Sequence, residues 1–188
     1  MGHIKAYYEG ITPVDESDWQ YIVRLFEWVS FAKGDILTAQ GSIEQFLYFV
    51  ETGIVRYFIC QDTIERTFDF GFEKTFAGAY DSMVLRTPCG YQLGALTDVT
   101  AWRISYDNLQ QMYQHTKIGN AVGRKLSETL YVAKSKRELA LLNLTAKERY
   151  LSLFSERPEI IRRIPQKYVA SYIGITPQAL SRIRREIC

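Results

Sequence analysis

The stretch 163–188, RIPQKYVASYIGITPQALSRIRREIC, constrains the fold more than any other part of this 188-residue chain. Pro165 suits the first position of a helix, where the missing N–H costs nothing. Three apolar residues then fall on one helical face: Val169, Ala170 and Ile173. Gly174 can end this helix because glycine enters the left-handed conformation freely, and Thr176-Pro177 supplies an N-cap followed by a proline. The pattern predicts two short helices joined by a tight turn, the second beginning at Pro177.

The predicted second helix has an apolar face and a polar face. The apolar face, which we expect to meet a core, consists of Leu180, Ile183 and Ile187, with Ala179 at its edge. The polar face carries hydrogen-bonding groups and no carboxylate: Gln178, Ser181, Arg182 and Arg185. Arg pairs bidentately with guanine and Gln with adenine, while the helix N-terminus near Thr176 suits a phosphate. These features are typical of a helix-turn-helix that reads the DNA major groove, although a plain helical hairpin with a solvated basic face has the same pattern.

The charge of the chain is divided unevenly between its two parts. Residues 1–143 hold 14 Lys and Arg against 17 Asp and Glu, a formal charge of −3, whereas residues 144–188 hold 9 against 4, a charge of +5. Thr145 and Glu148 have the spacing of a capping box, so a new helix is expected after a hinge at Asn143-Leu144. We therefore expect a body formed by 1–143 and a basic DNA-binding domain formed by 144–188.

The segment 12–104 changes from a helical pattern to a strand pattern. Thr12-Pro13 and the acidic residues that follow predict one amphipathic helix, which the apolar spacing extends to Lys33-Gly34. Alternation with period two then predicts six short strands, at 35–39, 46–50, 54–60, 63–70, 92–96 and 99–104. Many short strands without helices between them are typical of an antiparallel sandwich or roll.

A second helical pattern begins after Tyr106 and extends to about Leu142. One apolar stripe runs along it, formed by Ile118, Val122, Leu126, Leu130 and Ala133. We interpret this stripe as a dimer interface between two copies of the chain. A helix that packs only on its own barrel is the alternative, because Gly119 and Gly123 each weaken a helix by about 1 kcal/mol.

The residues that most catalytic sites need are scarce. His3 and His115 are the only histidines, and they lie on either side of the predicted strands, so no imidazole cluster is expected inside the roll. Three cysteines without a CxxC pair are expected to be free thiols: Cys60, Cys89 and Cys188. No P-loop, signal peptide or membrane span is apparent. We therefore expect a cytoplasmic protein that is not an enzyme and uses no cofactor, metal or membrane.

The order of these elements resembles the Crp/Fnr superfamily of bacterial transcription regulators over essentially the whole chain. The stretch 31–58, FAKGDILTAQGSIEQFLYFVETGIVRYF, is similar to the start of that family's β-roll, with Gly34, Gly41 and Gly53 at its turns. The stretch 164–187 is similar to its DNA-reading module. The resemblance implies an α+β fold with an N-terminal antiparallel β-roll (double-stranded β-helix), flanking helices, a long dimerisation helix and a small C-terminal helix-turn-helix domain.

The same resemblance implies a homodimer that binds double-stranded DNA at an inverted repeat and regulates transcription. RNA polymerase and a small-molecule effector are the further partners that it implies. A ligand-binding or protein-interaction roll with a degenerate helix-turn-helix is the alternative. Because the sequence ends at the second helix, where many relatives continue into a β-hairpin wing, we expect most of that wing to be missing.

Two departures from the family pattern concern the effector. Relatives that bind cyclic AMP carry a Gly-Glu pair and, about ten residues later, an Arg followed by Ser or Thr. Here Gly78 is followed by Ala79, and the later stretch reads Thr87-Pro88-Cys89-Gly90. Both charged anchors are absent, so the effector is not expected to be cyclic AMP. The resemblance places an effector pocket near Gly78, Ala79, Tyr80, Arg86, Cys89 and Gly90.

Overall fold

Two four-stranded antiparallel sheets face each other in the computed structural model, which describes residues 1–62 and 64–187. One sheet has the strand order β1-β8-β3-β6 and the other has β2-β7-β4-β5. The strands are β1 Phe26–Phe31, β2 Ile36–Thr38, β3 Phe46–Thr52, β4 Val55–Gln61, β5 Ile64–Gly71, β6 Phe76–Ala77, β7 Gln92–Ala95 and β8 Val99–Ser105. This arrangement is the β-roll that the strand pattern and the resemblance predicted.

The inward-facing residues of both sheets form the core of the roll. This core includes Tyr48, Val50, Val55, Leu93, Val99 and Ala101. All three glycines expected at turns have positive φ: Gly34, Gly41 and Gly53. At Gly53 an added Cβ would also lie 2.1 Å from the carbonyl oxygen of Asp98, so a side chain cannot be accommodated there.

The N-terminal region differs from the single helix expected between Thr12 and Lys33. Two short helices are present, α1 Gly2–Glu9 and α2 Glu16–Val23, and the chain then enters β1. Asp15 caps α2 by accepting a hydrogen bond from the backbone N–H of Asp18. The helical prediction beyond Val23 was wrong because aromatic and β-branched residues of β1 pair with β8; Trp28 lies edge-on to Trp102 with ring centroids 4.9 Å apart.

The helical region after the roll is divided into two helices, α4 Tyr106–His115 and α5 Gly119–Asn143. A short helix within the roll, α3 Tyr80–Leu85, was not predicted. Gly119 and Gly123 have a packing role: an added Cβ would lie 2.3 Å from the carbonyl oxygen of Met112 at Gly119 and 2.7 Å from the ring of Tyr113 at Gly123. These glycines let α5 pack closely on α4. No helix among the described residues is both long enough and apolar enough to cross a membrane.

Four helices follow α5: α6 Ala146–Glu156, α7 Pro158–Arg163, α8 Gln166–Tyr172 and α9 Pro177–Ile187. The capping box at Thr145 and Glu148 is present, and Gly174 has φ +79° between α8 and α9. Pro165 is the N-cap of α8 instead of its first helical residue. Along α9, Leu180 is buried and Ile183 is half-buried, but Ile187 is 38% exposed, so the expectation that Ile187 faces a core was wrong. Cys188 lies outside the described residues, as does Thr63.

The C-terminal helices share a core with the roll. Ile54 and Phe70 of the roll are buried in the same cluster as Tyr150, Leu153, Ile160, Val169, Tyr172 and Leu180. Helix α8 packs against β5, and the backbone N–H of Thr67 donates to Ser171 Oγ at 2.8 Å. A segment of about 45 residues buries too little surface for a robust core of its own. The roll supplies the missing partner surface.

Candidate nucleic-acid interface and ligand cavity

The polar face of α9 is accessible. Gln178, Ser181, Arg182 and Arg185 are all exposed, whereas Arg184 is half-buried beside a small crevice that Leu180 also lines. The Thr176 hydroxyl accepts a hydrogen bond from the backbone N–H of Ala179 at 3.2 Å, which caps the helix as predicted. The structure thus brings together four of the predicted DNA-binding side chains on one surface, with Thr176 at the start of the same helix.

Part of the positive charge of the C-terminal region is neutralised by the roll. Arg163 makes a bidentate pair with Glu73 at 2.6 Å, and Arg157 donates to Asp69 at 2.7 Å. Within the described residues, six cations of this region have no ion-pair partner: Arg149, Arg162, Lys167, Arg182, Arg184 and Arg185. Three of these six belong to α9, whereas the guanidinium of Arg149 donates to the carbonyl oxygens of Ile173 and Leu144. The predicted recognition helix therefore holds the largest group of unpaired cations.

A cavity of about 720 Å³ lies between the roll and α5. Its roll side is formed by residues of β3 to β6, the start of α3 and Tyr91, which precedes β7, and it includes Leu47, Tyr57, Phe68, Phe70 and Phe76. Its helix side is formed by Leu126, Thr129, Leu130, Ala133 and Lys134. The size is within the range of roughly 300–1,000 Å³ that small-molecule sites occupy.

The residues predicted for the effector pocket are only partly at this cavity. Gly78 and Tyr80 line it, and Ala79 is fully buried beside them. Arg86, Cys89 and Gly90 do not line it. The Arg86 guanidinium donates to the Glu44 carbonyl and the Gln45 side chain and lies 4.8 Å from the Tyr106 ring, so it faces away from the cavity. Cys89 is buried in the core of the roll.

A buried carboxylate occupies the start of α3, next to Gly78 and Ala79. Glu44 is 3% exposed and accepts hydrogen bonds from the backbone N–H groups of Gln45, Phe46 and Ala79 at 3.0–3.2 Å, and from the Thr38 hydroxyl. The Ala79 N–H, at the N-cap of α3, would otherwise be free to bind an anion. The chain therefore supplies its own negative charge at this position.

The first part of the stripe along α5 that we interpreted as a dimer interface faces the chain's own body, whereas Leu130 is 38% exposed. Ile118 and Val122 are 5% and 0% exposed and pack in the core beside α1, α2 and α4, which corrects the expectation for these two residues. Leu126, Leu130 and Ala133 line the cavity. An apolar stripe on a helix can pack against a partner subunit or against the helix's own domain. The sequence pattern is the same in both cases and therefore did not distinguish them.

The opposite face of α5 carries a second set of exposed apolar side chains. Tyr131 and Leu142 are 74% and 75% exposed, and Val132 and Leu139 are about half exposed. At about 100° per residue, these four positions fall within one 100° sector of the helix. Water-exposed apolar residues aligned in this way favour contact with another apolar surface.

Several cavity residues were missed in the sequence, above all Tyr57, Phe68, Tyr91 and Lys134. Phe68 lies at a bulge in β5, since Tyr57 pairs with Asp69 while the next residue, Phe58, pairs with Thr67. A bulge redirects side chains, so strict alternation cannot assign Phe68 to a face. The density of aromatic residues in 57–91 was the one available signal.

Comparisons with known proteins support the cyclic-nucleotide-binding type of roll. Residues 28–116 match the cyclic nucleotide-binding domain family. No curated protein sequence matched the chain.

Three bacterial proteins are among the solved structures with the same fold. The c-di-GMP responsive global regulator CLP of Xanthomonas campestris is 19% identical, with 92% of this chain and 91% of that chain covered and a TM-score of 0.69. A protein described as a transcriptional regulator of the Crp/Fnr family, from Eubacterium rectale, is 16% identical, with 93% of this chain and 83% of that chain covered and a TM-score of 0.70. FixK2 of Bradyrhizobium japonicum is 18% identical, with 86% of this chain and 84% of that chain covered and a TM-score of 0.69. Residues 28–116 thus match the cyclic nucleotide-binding domain family, and the chain has the fold of solved Crp/Fnr-type structures.

Proposed function

We propose that this protein is a homodimeric transcription regulator that binds double-stranded DNA through α9. The observation that carries the proposal is the exposed face of α9, on which Gln178, Ser181, Arg182 and Arg185 are accessible. The carboxylate of the same helix, Glu186, lies in its last turn and pairs with Lys147. Bidentate Arg and Gln contacts to base edges require this combination of reach and accessibility. Thr176 and the first turn of α9 would hold a phosphate of the same DNA strand.

The dimer would form through the outer face of α5. Tyr131, Val132, Leu139 and Leu142 offer an apolar stripe that a two-fold mate can cover with its own copy. This face replaces the original prediction of Ile118 and Val122, which are buried in the subunit. A two-fold arrangement would present two α9 helices to successive major grooves, about 34 Å apart.

We further propose that residues 1–143 act as the sensor and dimerisation domain and residues 144–188 as the DNA-binding domain. Leu144 is extended between the end of α5 at Asn143 and the capping box at Thr145, so a change of direction occurs at the predicted hinge. The alternative function is a ligand-binding roll with a degenerate helix-turn-helix, and the cavity favours it.

Selection of binding sites from random duplexes tests the proposal directly. We expect enrichment of an inverted repeat with half-site centres about ten base pairs apart, or a multiple of that spacing. Binding to the selected site should be measured at two salt concentrations, because phosphate contacts make affinity salt-dependent. If the folded dimer enriches no inverted repeat, the proposed function is wrong and the ligand-binding alternative replaces it.

A further inference from the structure

The walls of the cavity between the roll and α5 are mainly aromatic. Tyr57, Phe68 and Tyr91 form one group at the cavity, with Phe68 edge-on to Tyr91 at a centroid distance of 4.9 Å. Tyr7 and Phe76 form a second group, edge-on at 5.5 Å. Aromatic side chains bind flat apolar molecules through edge-to-face and offset-stacked contacts. The shape and chemistry of these walls suit a ring system.

The charged groups at the cavity do not suit an anion. Lys134 is the one cation among its lining residues, and its Nζ lies 3.2 Å from Asp69 Oδ2. The second carboxylate, Asp81, accepts a hydrogen bond from the Tyr91 hydroxyl at 2.5 Å. Asp69 is also paired with Arg157 behind the wall, so both cations near the cavity are already held by a carboxylate. An anionic ligand would lose its hydration and gain no free cation.

The residues at the start of α3 also disfavour the binding of a phosphate group. In this chain its Ala79 N–H is bonded to the Glu44 carboxylate at 3.2 Å, and Arg86 faces away from the cavity. A cyclic phosphate placed near Gly78 would therefore meet a carboxylate and no arginine. A ligand of this cavity has to be recognised without a phosphate group.

One hydrogen-bond donor at the cavity is available to a ligand. The Tyr57 hydroxyl accepts from the backbone N–H of Gly78 at 3.0 Å, but no acceptor for its own proton lies within hydrogen-bond distance among residues 1–62 and 64–187. Burial raises the pKa of Tyr57 far above its ordinary value, so the hydroxyl keeps this proton at physiological pH. A carbonyl or ether oxygen on a ligand would complete its bonding.

From these observations we infer that the cavity binds an uncharged, largely aromatic small molecule, held by the aromatic walls and by a hydrogen bond from Tyr57 to an acceptor oxygen of the ligand. The inference names the class of ligand for the effector site of the proposed function. It rests on the proposed function only where the ligand is treated as a regulator. The binding itself is a property of residues in 7–134 and requires no DNA.

The uncharged naphthyl ketone Prodan is a suitable probe, because its fluorescence depends on the polarity around it and on hydrogen bonds to its carbonyl oxygen. Titration into the full-length protein should give saturable binding. The anion naphthoate, of similar ring size, should displace Prodan at least tenfold less effectively than the neutral acetylnaphthalene. Equal displacement by the anion and the ketone would overturn the inference.

Two variants locate the binding. Thr129→Trp, on the cavity side of α5, should fill the cavity and weaken Prodan binding more than tenfold. Tyr57→Phe should weaken it about two- to tenfold and shift the emission of bound Prodan to shorter wavelength, since the carbonyl loses its donor. Tyr48→Phe is the matched control, because Tyr48 is buried in the same roll but does not line the cavity. It should change neither affinity nor emission.

Different results would contradict the ligand site and the DNA-binding function. If Thr129→Trp is folded, as judged by its melting temperature, and still binds Prodan with unchanged affinity, the ligand site is not this cavity. Site selection on DNA can succeed in that case and leave the proposed function intact. Conversely, Prodan binding with the expected variant pattern, together with failure to select a DNA site, would support the ligand site and refute the DNA-binding function.

Discussion

Arg157 donates a hydrogen bond from Nη1 to Asp69 Oδ1 at 2.7 Å, and this contact joins the C-terminal helices to the wall of the cavity. The same guanidinium donates to the Phe70 carbonyl at 2.9 Å, while the second oxygen of Asp69 meets Lys134 of α5. Burial alone would raise the pKa of Asp69, but Lys134 and Arg157 outweigh it and hold the pKa below its ordinary value. One carboxylate thus connects β5, α5 and the junction of α6 with α7.

Asp69→Asn should destabilise this junction. The substitution removes the counter-charge that Lys134 and Arg157 share and leaves Arg157 with only the longer contact to Glu159 at 3.5 Å. We expect a loss of about 2 kcal/mol in the free energy of unfolding at pH 7. Urea denaturation measures this loss. Glu27→Gln is the control, since Glu27 pairs with Arg103 on the exposed surface and should change stability far less.

The same carboxylate predicts a pH dependence. A pKa lowered by folding stabilises the folded state above the ordinary value of 3.8, and this stabilisation is lost as the pH falls through the folded-state pKa. The unfolding free energy should therefore fall less steeply with acidification below pH 4 in Asp69→Asn than in the unmodified chain. Parallel curves for the two proteins would show that Asp69 does not contribute.

Gly119→Ala should destabilise the protein although alanine favours helices by about 1 kcal/mol over glycine. The new Cβ would lie 2.3 Å from the Met112 carbonyl oxygen and 2.7 Å from the Tyr113 Cα, which are backbone atoms that cannot rotate away. Overpacking of this kind costs about 1–3 kcal/mol or more, so we expect a net loss. Gly2→Ala in α1 is the control, because nothing lies within 4 Å of its added Cβ. Thermal denaturation should show a lower melting temperature only for Gly119→Ala.

The parts of the structure that the sequence predicted depend on residues close together in the chain. The capping box at Thr145, the turn at Gly174 and the start of α9 at Pro177 are each decided within about four residues. The polar face of α9 follows from helical geometry once that start is known. These local features were enough to identify the candidate DNA-binding surface.

The features that were missed depend on contacts between distant residues. Phe26–Phe31 has apolar spacing that fits a helix, and pairing with β8, more than 60 residues later, makes it a strand. The stripe at Val122 and Leu126 shows which face of α5 is apolar, but the position of the roll decides that this face points inward. The bulge at Phe68 likewise depends on the register of β5 against β4.

Cyclic AMP should not bind with useful affinity. Micromolar binding needs about 8 kcal/mol, and a cyclic phosphate beside Glu44 with no arginine in the cavity would lose at least several kcal/mol of this. Calorimetric titration should show no binding at micromolar concentrations, and Arg86→Ala should behave like the unmodified chain. Tight binding that Arg86→Ala removes would show that Arg86 turns inward to neutralise the phosphate.

Leu139→Glu should convert the proposed dimer to a monomer. Leu139 is about half exposed in the single chain, so the charge can be accommodated in a folded subunit, whereas it would be buried without a partner in a dimer. Light scattering at micromolar concentration measures the change in mass. Leu85→Glu, at another exposed leucine that lies away from α5, should remain a dimer. A monomeric unmodified chain would refute dimerisation through α5.

Arg182→Ala should relax the sequence preference of the protein at one base position of each half-site. Arg182 lies in the middle of the exposed polar face of α9, one turn beyond Gln178, where a guanidinium can reach the guanine edge in the major groove. We expect a loss of about 1–3 kcal/mol per half-site on the selected operator and little loss on non-specific DNA.

Lys167→Ala provides the contrast: if Lys167 contacts phosphate, affinity falls on every sequence and the salt dependence becomes shallower by about one ion. Arg124→Ala, which removes an exposed arginine of α5 paired with Glu128, should leave both quantities unchanged. If α9 only presents a solvated basic face without base contacts, Arg182→Ala and Arg185→Ala should lower the affinity equally on all sequences. Competition between the selected operator and a scrambled duplex therefore distinguishes an arginine that contacts a base from a surface charge.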